Sequence, residues 1–234
     1  MYSVSVAMAA YNGEKFIKPQ LESILSQLKN EDEVIVSLDP STDSTKEIIQ
    51  SLNDVRIKVI DGPGMGVKKN FENAIRHCKN DIIFLSDQDD VWLDGKVECV
   101  LREFKENVYV VMHNAKIIDK DFNVVESSFF KMRNVQTGFI HNWICNGYIG
   151  CCMAFKKDIV KYIVPIPDKI YMHDQWIGIV GDIVGTNVLV DEPYLLYRRH
   201  ETNVTGMHHG SLKDIIKKRI GVLLVYVELM GRLK

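Results

Sequence analysis

Phe84-Leu85-Ser86-Asp87-Gln88-Asp89-Asp90-Val91-Trp92 is the stretch on which the reading of this chain turns. An apolar run from Ile82 to Leu85 stops abruptly in three carboxylates within four residues. The run reads as a buried strand, bounded as such strands are by polar turn residues. Clustered Asp side chains at the mouth of a strand repel one another unless a cation or hydrogen bonds offset them. In an extended segment alternate side chains point the same way, so Asp87 and Asp89 are expected to share a side. Two such carboxylates make a seat for Mg²⁺ or Mn²⁺, ions usually held by one or two carboxylates plus substrate phosphate and water. The chemistry implied is departure of a phosphate-bearing group. A solvated Asp-rich turn closing a strand is the other reading of the same nine residues.

The surrounding sequence supplies a frame. Apolar runs at 3–8, 33–38, 56–60 and 81–85 read as strands. Between them, helix-like segments are expected at about 14–29, 43–52 and 67–78. The first carries Phe16, Ile17, Leu21, Ile24, Leu25 and Leu28 at helical spacing. Ser41 to Ser44 are good starters for the second, and Gly62-Pro63-Gly64-Met65-Gly66 forms a turn into the third. Strands alternating with helices imply βαβ units and a mostly parallel sheet. Ligands bind such sheets at the carboxyl ends of strands. Ala9 to Asn12, Asp39 to Asp43 and Asp87 to Asp90 would then meet at one edge.

The second half is less regular. Residues 109–125 read as strand, turn, strand; Gly147 to Phe155 as a small-residue strand; and Met172 to Val184 as a helix opening at Asp174, with Gly178 and Gly181 weakening it. Val188 to Val190 and Tyr194 to Tyr197 read as two further strands. From Leu212 a helical face of Leu212, Ile215, Ile216, Ile220, Leu223, Val227, Met230 and Leu233 is flanked by Lys and Arg.

Composition narrows the classes. The 234 residues suit one domain with an appendage, 46% are hydrophobic, and disorder is excluded. A net charge of −2 argues against a broad nucleic-acid surface. Five Cys without a CxxC pair argue for reduced thiols and a cytoplasmic setting, with Cys151 and Cys152 as core residues. No signal-like start and no apolar run near the ~20 residues of a membrane span is present.

The loops together resemble the family-2 glycosyltransferases of the GT-A fold, and among them the bacterial rhamnosyltransferase type. The matching pieces are VSVAMAAYNGEKFI, VIVSLDPSTDST, GVKKNFENAI, IIFLSDQDDVWLDGKVE, YIGCCMAF, MHDQW and YRRHETNVTG, spanning residues 4 to 206. The resemblance implies an α/β, Rossmann-like mixed sheet flanked by helices. Residues 1–206 would be the GT-A domain, with 1–105 holding the nucleotide, 106–206 the acceptor, and 207–234 forming an appended amphipathic helix. The implied activity is inverting, metal-dependent sugar transfer from a nucleotide-diphospho-sugar, dTDP-rhamnose or a UDP-hexose. The implied acceptor is a hydroxyl of a growing, lipid-linked surface glycan.

The residue roles follow from the same resemblance. Ala9, Tyr11, Asp39, Asp87, Gln88 and Arg198 would hold the nucleotide-sugar. Asp87, Asp89 and His200 would hold Mg²⁺ or Mn²⁺. Asp174 would be the catalytic base, and Trp176 and Gly150 would face the acceptor. One departure stands out: the family often has paired Asp before its Ser-Thr-Asp, whereas Leu38-Asp39-Pro40 keeps one.

Each role has a plainer counterpart: Asp174 as a helix cap, Tyr11 as a turn residue, His200 as a loop residue, Arg198 and Arg199 as surface residues, and Lys68 and Lys69 as solvated helix-start lysines or phosphate contacts. The last helix either packs on the domain or lies on the inner membrane surface with its cations on anionic head groups. Two other functions share the layout, a sugar nucleotidyltransferase and a non-catalytic sugar-nucleotide-binding subunit. The first needs a Gly- and Arg/Lys-rich first loop, and Ala9-Ala10-Tyr11-Asn12-Gly13 is not one.

Overall fold

The computed structural model describes residues 2–199 and 212–233. Among the described residues nine strands form one mixed sheet: β1 (Val4–Ala10), β2 (Glu33–Leu38), β3 (Ile57–Asp61), β4 (Ile82–Ser86), β5 (Val91–Trp92), β6 (Val108–Ile118), β7 (Val124–Glu126), β8 (Met153–Lys156) and β9 (Thr186–Arg198). The helices are α1 (Ile17–Leu25), α2 (Thr45–Ser51), α3 (Val67–His77), α4 (Lys96–Glu103), α5 (Phe129–Arg133), α6 (Phe139–Ile144), α7 (Val160–Ile163), α8 (His173–Val184) and α9 (Leu212–Arg232).

The sheet order is β3-β2-β1-β4-β8-β6-β9-β5, with β7 on β6. The long ladders, β1 with β2 and β4, β2 with β3, and β6 with β9, are parallel. Short antiparallel ladders join β8 to β4 and β6, and β5 to β9. All of β1 and β4 is buried, which is why both read as continuous apolar runs: helices cover both faces. The order reverses at β1, so a crevice opens between the carboxyl ends of β1 and β4, where ligands of such sheets bind.

The structure departs from the sequence expectations in three places. Gly147 to Phe155 is not one strand; Gly150–Cys152 is a 3₁₀ turn and pairing begins at Met153. That turn carries the Cys151 carbonyl onto the Lys96 ammonium at 2.9 Å. The two short strands expected near 188 and 194 are one, β9. Its ladder to β6 jumps from His113–Val190 to Asn114–Pro193, so Asp191 and Glu192 bulge out and Pro193, which has no amide to donate, sits beside the break. Asn114 fills the break by donating Nδ2 to the Asp191 carbonyl at 3.0 Å.

The third departure concerns α9, which docks by a different face from the one its spacing suggests. Val222, Val225 and Leu229 are buried, and Tyr226 packs on Phe139 with ring centroids 4.6 Å apart. Ile216, Ile220, Leu223, Val227 and Met230, expected to face the domain if the helix packs, are exposed. The helix is apolar on two sides and uses one. By contrast, Gly178 and Gly181 do not break α8. A Cβ on Gly178 would lie 2.2 Å from the Tyr148 ring, so the helix tolerates these glycines in exchange for close packing.

Candidate active site

β4 delivers the acidic run to the crevice, but the chain turns immediately after Ser86. Strict alternation therefore ends, and Asp90 joins Asp87 at the tip of the strand. Donor atoms of Asp87, Asp90 and Cys151 all lie within 4.8 Å of one another. Asp89 stands outside this trio, yet its charge reaches both carboxyls.

Neighbouring elements brace the turn. Gln20 donates Nε2 to Ser86 Oγ at 2.7 Å and to the Asp87 carbonyl at 3.2 Å. Gln88 grips the Tyr11 backbone, accepting its N–H at 2.9 Å and donating to its carbonyl at 2.8 Å. Gly13 makes room for that grip, since a Cβ there would stand 2.2 Å from Gln88 Oε1. Gln88 was expected at the nucleotide; its amide instead ties the β1 loop to the β4 loop.

Arg198 was expected at a diphosphate. Its side chain is almost fully buried, with the guanidinium 4.3 Å from the Phe122 ring and 5.1 Å from that of Phe16. Its Nε donates to the Asp89 carbonyl and its backbone N–H to Asp90 Oδ1, both at 3.0 Å. In the structure Arg198 is a brace for the acidic loop, where a plain surface residue was the alternative.

On the opposite bank, Asp174 lies in the first turn of α8 and is 9% exposed. Met172 is the residue at the cap position, so Asp174 is not the cap. Its carboxylate accepts the Gln175 N–H at 2.6 Å and also the Gly150 N–H. Gly150 was expected at the acceptor, and the structure sets it against Asp174 and His173. A Cβ on it would lie 2.8 Å from His173 Nε2, and that ring is pinned by stacking on Phe71 at 4.0 Å. Gly150→Ala is therefore expected to cost about 1–3 kcal/mol by overpacking, seen as a lower urea midpoint with unchanged slope.

Trp176 corrects a second acceptor expectation. It is 1% exposed and donates its indole N–H to the Ile163 carbonyl at 2.9 Å, so it is core and offers no face to a sugar. His200 lies outside the described residues. Lys68 and Lys69 do not wait for phosphate. Lys68 donates to the carbonyls of Pro167, Asp168 and Ile170, and Lys69 pairs with Glu72, which also accepts the Ile166 N–H. They fasten the segment that leads into Asp174.

The β1 and β2 loops form the far end of the crevice. Tyr11 is 55% exposed beside Ala9 and Ala10. Asp39 accepts the Gly64 N–H at 2.8 Å, and Gly62 lies so near that a Cβ would be 2.4 Å from Asp39 Oδ1. Asn70, which the sequence reading passed over, shares this spot. It donates Nδ2 to the Ala10 carbonyl at 3.2 Å, and its buried Oδ1 has no partner.

The electrostatics single out one region. Burial, then the charges of Asp89 and Asp174, push Asp87 up to about 7. Burial and the charges of Asp89 and Asp87 raise Asp90 well above the carboxylate range. Burial raises Asp174 to about 6. Gly150 donates its N–H to Asp174, and the next residue, Cys151, lies within 4.8 Å of Asp87 and Asp90, so the acidic tip and the start of α8 meet at one place. Asp90 spends Oδ1 on Arg198 and leaves Oδ2 buried without a partner. Crowded carboxylates and an orphaned oxygen are a donor set that fits a divalent cation.

Lys96 is the cation already present, and sequence reasoning missed it. It is fully buried, 3.9 Å from the Trp92 ring, and lowered to about 8 chiefly by burial. The four-residue interval from Trp92 to Lys96 was the available signal.

A family model described as "Glycosyl transferase family 2" matches residues 5–164, well over half of the chain. The chain belongs to glycosyl transferase family 2. This family-2 chain is 28% identical over 221 residues to dTDP-rhamnosyl transferase RfbG of Shigella flexneri, covering 85% of this chain and 73% of that protein. It is 27% identical over 222 residues to the Escherichia coli UDP-Glc:alpha-D-GlcNAc-diphosphoundecaprenol beta-1,3-glucosyltransferase WfaP, covering 93% and 84%. It spans about half, 53%, of an uncharacterised glycosyltransferase of Nostoc. In fold it is similar to Staphylococcus aureus TarS solved with UDP-GlcNAc, at a TM-score of 0.74 and 18% identity, covering 96% of this chain and 66% of that one. It is also similar to the mannosyltransferase PcManGT of Pyrobaculum calidifontis with GDP-Man and Mn²⁺, at a TM-score of 0.66 and 14% identity, covering 99% and 74%. These likenesses establish for the family-2 chain an α/β, mostly parallel sheet of the GT-A kind.

Proposed function

We propose that this family-2 protein transfers a sugar, with inversion, from a nucleotide-diphospho-sugar to an acceptor hydroxyl. The observation that carries the reading is that one turn bridges the two carboxylates: Gly150 donates to Asp174 on α8 while Cys151, next to it, lies within 4.8 Å of Asp87 at the strand tip. Asp174 takes the acceptor proton. A carboxyl raised to about 6 is ionised at neutral pH and still more basic than an ordinary one, as a general base requires. Its hydrogen bonds from Gly150 and Gln175 fix its orientation.

Asp89, with Asp87, would hold Mg²⁺ or Mn²⁺, which supplies charge stabilisation at the leaving diphosphate. His200 is proposed to add a contact to the same ion or diphosphate. Asp39 accepts from the base N–H, and Tyr11 and Ala9 lie along the base. The Gln88 brace keeps those two loops at a fixed spacing, so base and diphosphate are held as one unit. dTDP-rhamnose and UDP-hexoses are the donors to test, in line with the names of RfbG and WfaP. A lipid-linked glycan is the acceptor, as in the name of WfaP. The test is a panel of nucleotide-sugars scored by thermal protection and donor consumption with and without Mn²⁺. Metal-dependent protection by one donor is expected; protection by none would overturn the reading.

Such an acceptor places the enzyme at the inner face of the cell membrane, and α9 suits that position. Among the described residues no helix is long and apolar enough to cross a membrane. The exposed stripe Ile216, Ile220, Leu223, Leu224, Val227 and Met230 runs beside the exposed Lys217 and Lys218. An apolar face with cations at its border is the pattern of a helix lying in anionic head groups. Ile220→Glu with Leu224→Glu is expected to abolish co-sedimentation with phosphatidylglycerol vesicles and to leave soluble-donor binding intact. Undiminished co-sedimentation would assign α9 another role.

A further inference from the structure

At the acidic tip stands a sulfur that the transfer reading does not use. Cys151 is fully buried in the 3₁₀ turn, with its sulfur within 4.8 Å of oxygens on both Asp87 and Asp90. A buried cysteine usually serves as a small apolar filler, among apolar neighbours. This one faces two carboxylates. Asp90, 1% exposed, has one oxygen on the Arg198 amide and the other buried with no partner. An orphaned buried carboxylate oxygen is costly, and apolar packing does not account for it. Lys96 fixes the turn through the Cys151 carbonyl at 2.9 Å, so the backbone that carries the sulfur is held in place.

We infer that Asp87, Asp90 and Cys151 form a second metal site, selective for thiophilic divalent ions of the zinc and cadmium class. Sulfur selects such ions over Mg²⁺ and Mn²⁺, which prefer oxygen. Binding releases to solvent the thiol proton and the protons held by the Asp87 and Asp90 carboxyls, and forms a metal–sulfur bond. The charge then closes: two carboxylates and a thiolate are matched by one divalent ion and the Lys96 ammonium, which is what a buried polyionic cluster needs. Zinc bonds of roughly 2.0–2.3 Å require the donors to draw together slightly. Asp87, the one member partly open to solvent, makes that movement. The site shares Asp87 with the proposed donor site, but its existence does not depend on the transfer. Only its consequence rests there: an ion held here takes Asp87 away from the donor and inhibits.

The test uses metal-free full-length protein and CdCl₂ alone, followed by the sulfur-to-cadmium absorption band in the ultraviolet, with affinity from chelator competition. The wild type is expected to show the band. Cys151→Ala is expected to lose it and to bind Cd²⁺ at least about tenfold more weakly, since even outer partners of a ligand are worth that much. Mn²⁺ affinity is expected to change far less. Cys145→Ala, altering an exposed thiol, is expected to leave band and affinity as they were. Cys151→Ser, with its circular dichroism checked, gives the same reading should the alanine variant fail to fold. A band that survives loss of the Cys151 sulfur, a band that disappears with Cys145, or equal weakening of Cd²⁺ and Mn²⁺ overturns the site. No donor or acceptor enters these measurements, so their failure is distinct from failure of the proposed transfer.

Discussion

Asp174→Asn is expected to lower sugar transfer by about 10²–10⁴-fold, the usual contribution of a positioned base, with nucleotide-sugar affinity nearly unchanged. The amide keeps the volume and an acceptor oxygen for the Gly150 and Gln175 amides, so the fold is expected to survive. The decisive readout is the split between turnover and donor binding, measured by initial rates beside calorimetry. Retained turnover would remove Asp174 from the proton transfer. The wild-type rate should also carry this carboxyl's signature. Because burial raises it to about 6, the base is protonated and idle below that pH, and activity climbs through about 6 to a plateau above it.

The same shift has a thermodynamic side with a definite sign. A carboxyl that holds its proton more tightly folded than unfolded stabilises the fold below the unfolded value, about 4. That contribution is lost as pH rises through about 6 for Asp174 and about 7 for Asp87. Metal-free protein is therefore expected to melt higher at pH 5 than at pH 8. A melting temperature flat across that window would contradict the crowding of these charges.

Asp89→Ala is the second large effect. Removing this carboxylate is expected to erase the Mn²⁺-dependent part of nucleoside diphosphate affinity, at least about tenfold. Binding without metal should hold steady or rise, because one negative charge near the diphosphate is gone. Calorimetry with UDP and dTDP, with and without Mn²⁺, separates the two contributions. A metal-dependent gain as large in the variant as in the wild type would move the ion to other ligands.

Most of the first half of this fold was legible, for a physical reason. β1 and β4 are buried on both faces and so are written as unbroken apolar runs, and the helices between them carry a plain stripe. Their loops follow from the sheet rule, which placed Tyr11, Asp39 and Asp87 on one edge. The second half resisted because its signals compete. Trp176 sits two residues from Asp174 and reads equally as a platform or as core; its burial and its indole bond to Ile163 decide. Gly150 announces a close approach, and the sequence does not say that the approaching group is the His173 ring. Lys96 was overlooked because a lysine at a helix start normally faces water, and its spacing from Trp92 does not tell that this one lies beside Asp87 and Asp90. The alternation rule failed at Asp89 because it holds only while the strand continues.

β9 leads from the end of the α8 segment to the acidic loop, and its last residue braces that loop. Along most of its length it cannot lose or gain a residue, since a single step would swing Arg198 to the reverse side of the sheet and release the loop. The looped-out Asp191 and Glu192 hold most of the surplus, with one further residue gained before Leu196. That makes the bulge the natural point for relatives to differ in length, and it sets the rule for engineering there. Changes in pairs keep the arginine's orientation, and odd ones discard it.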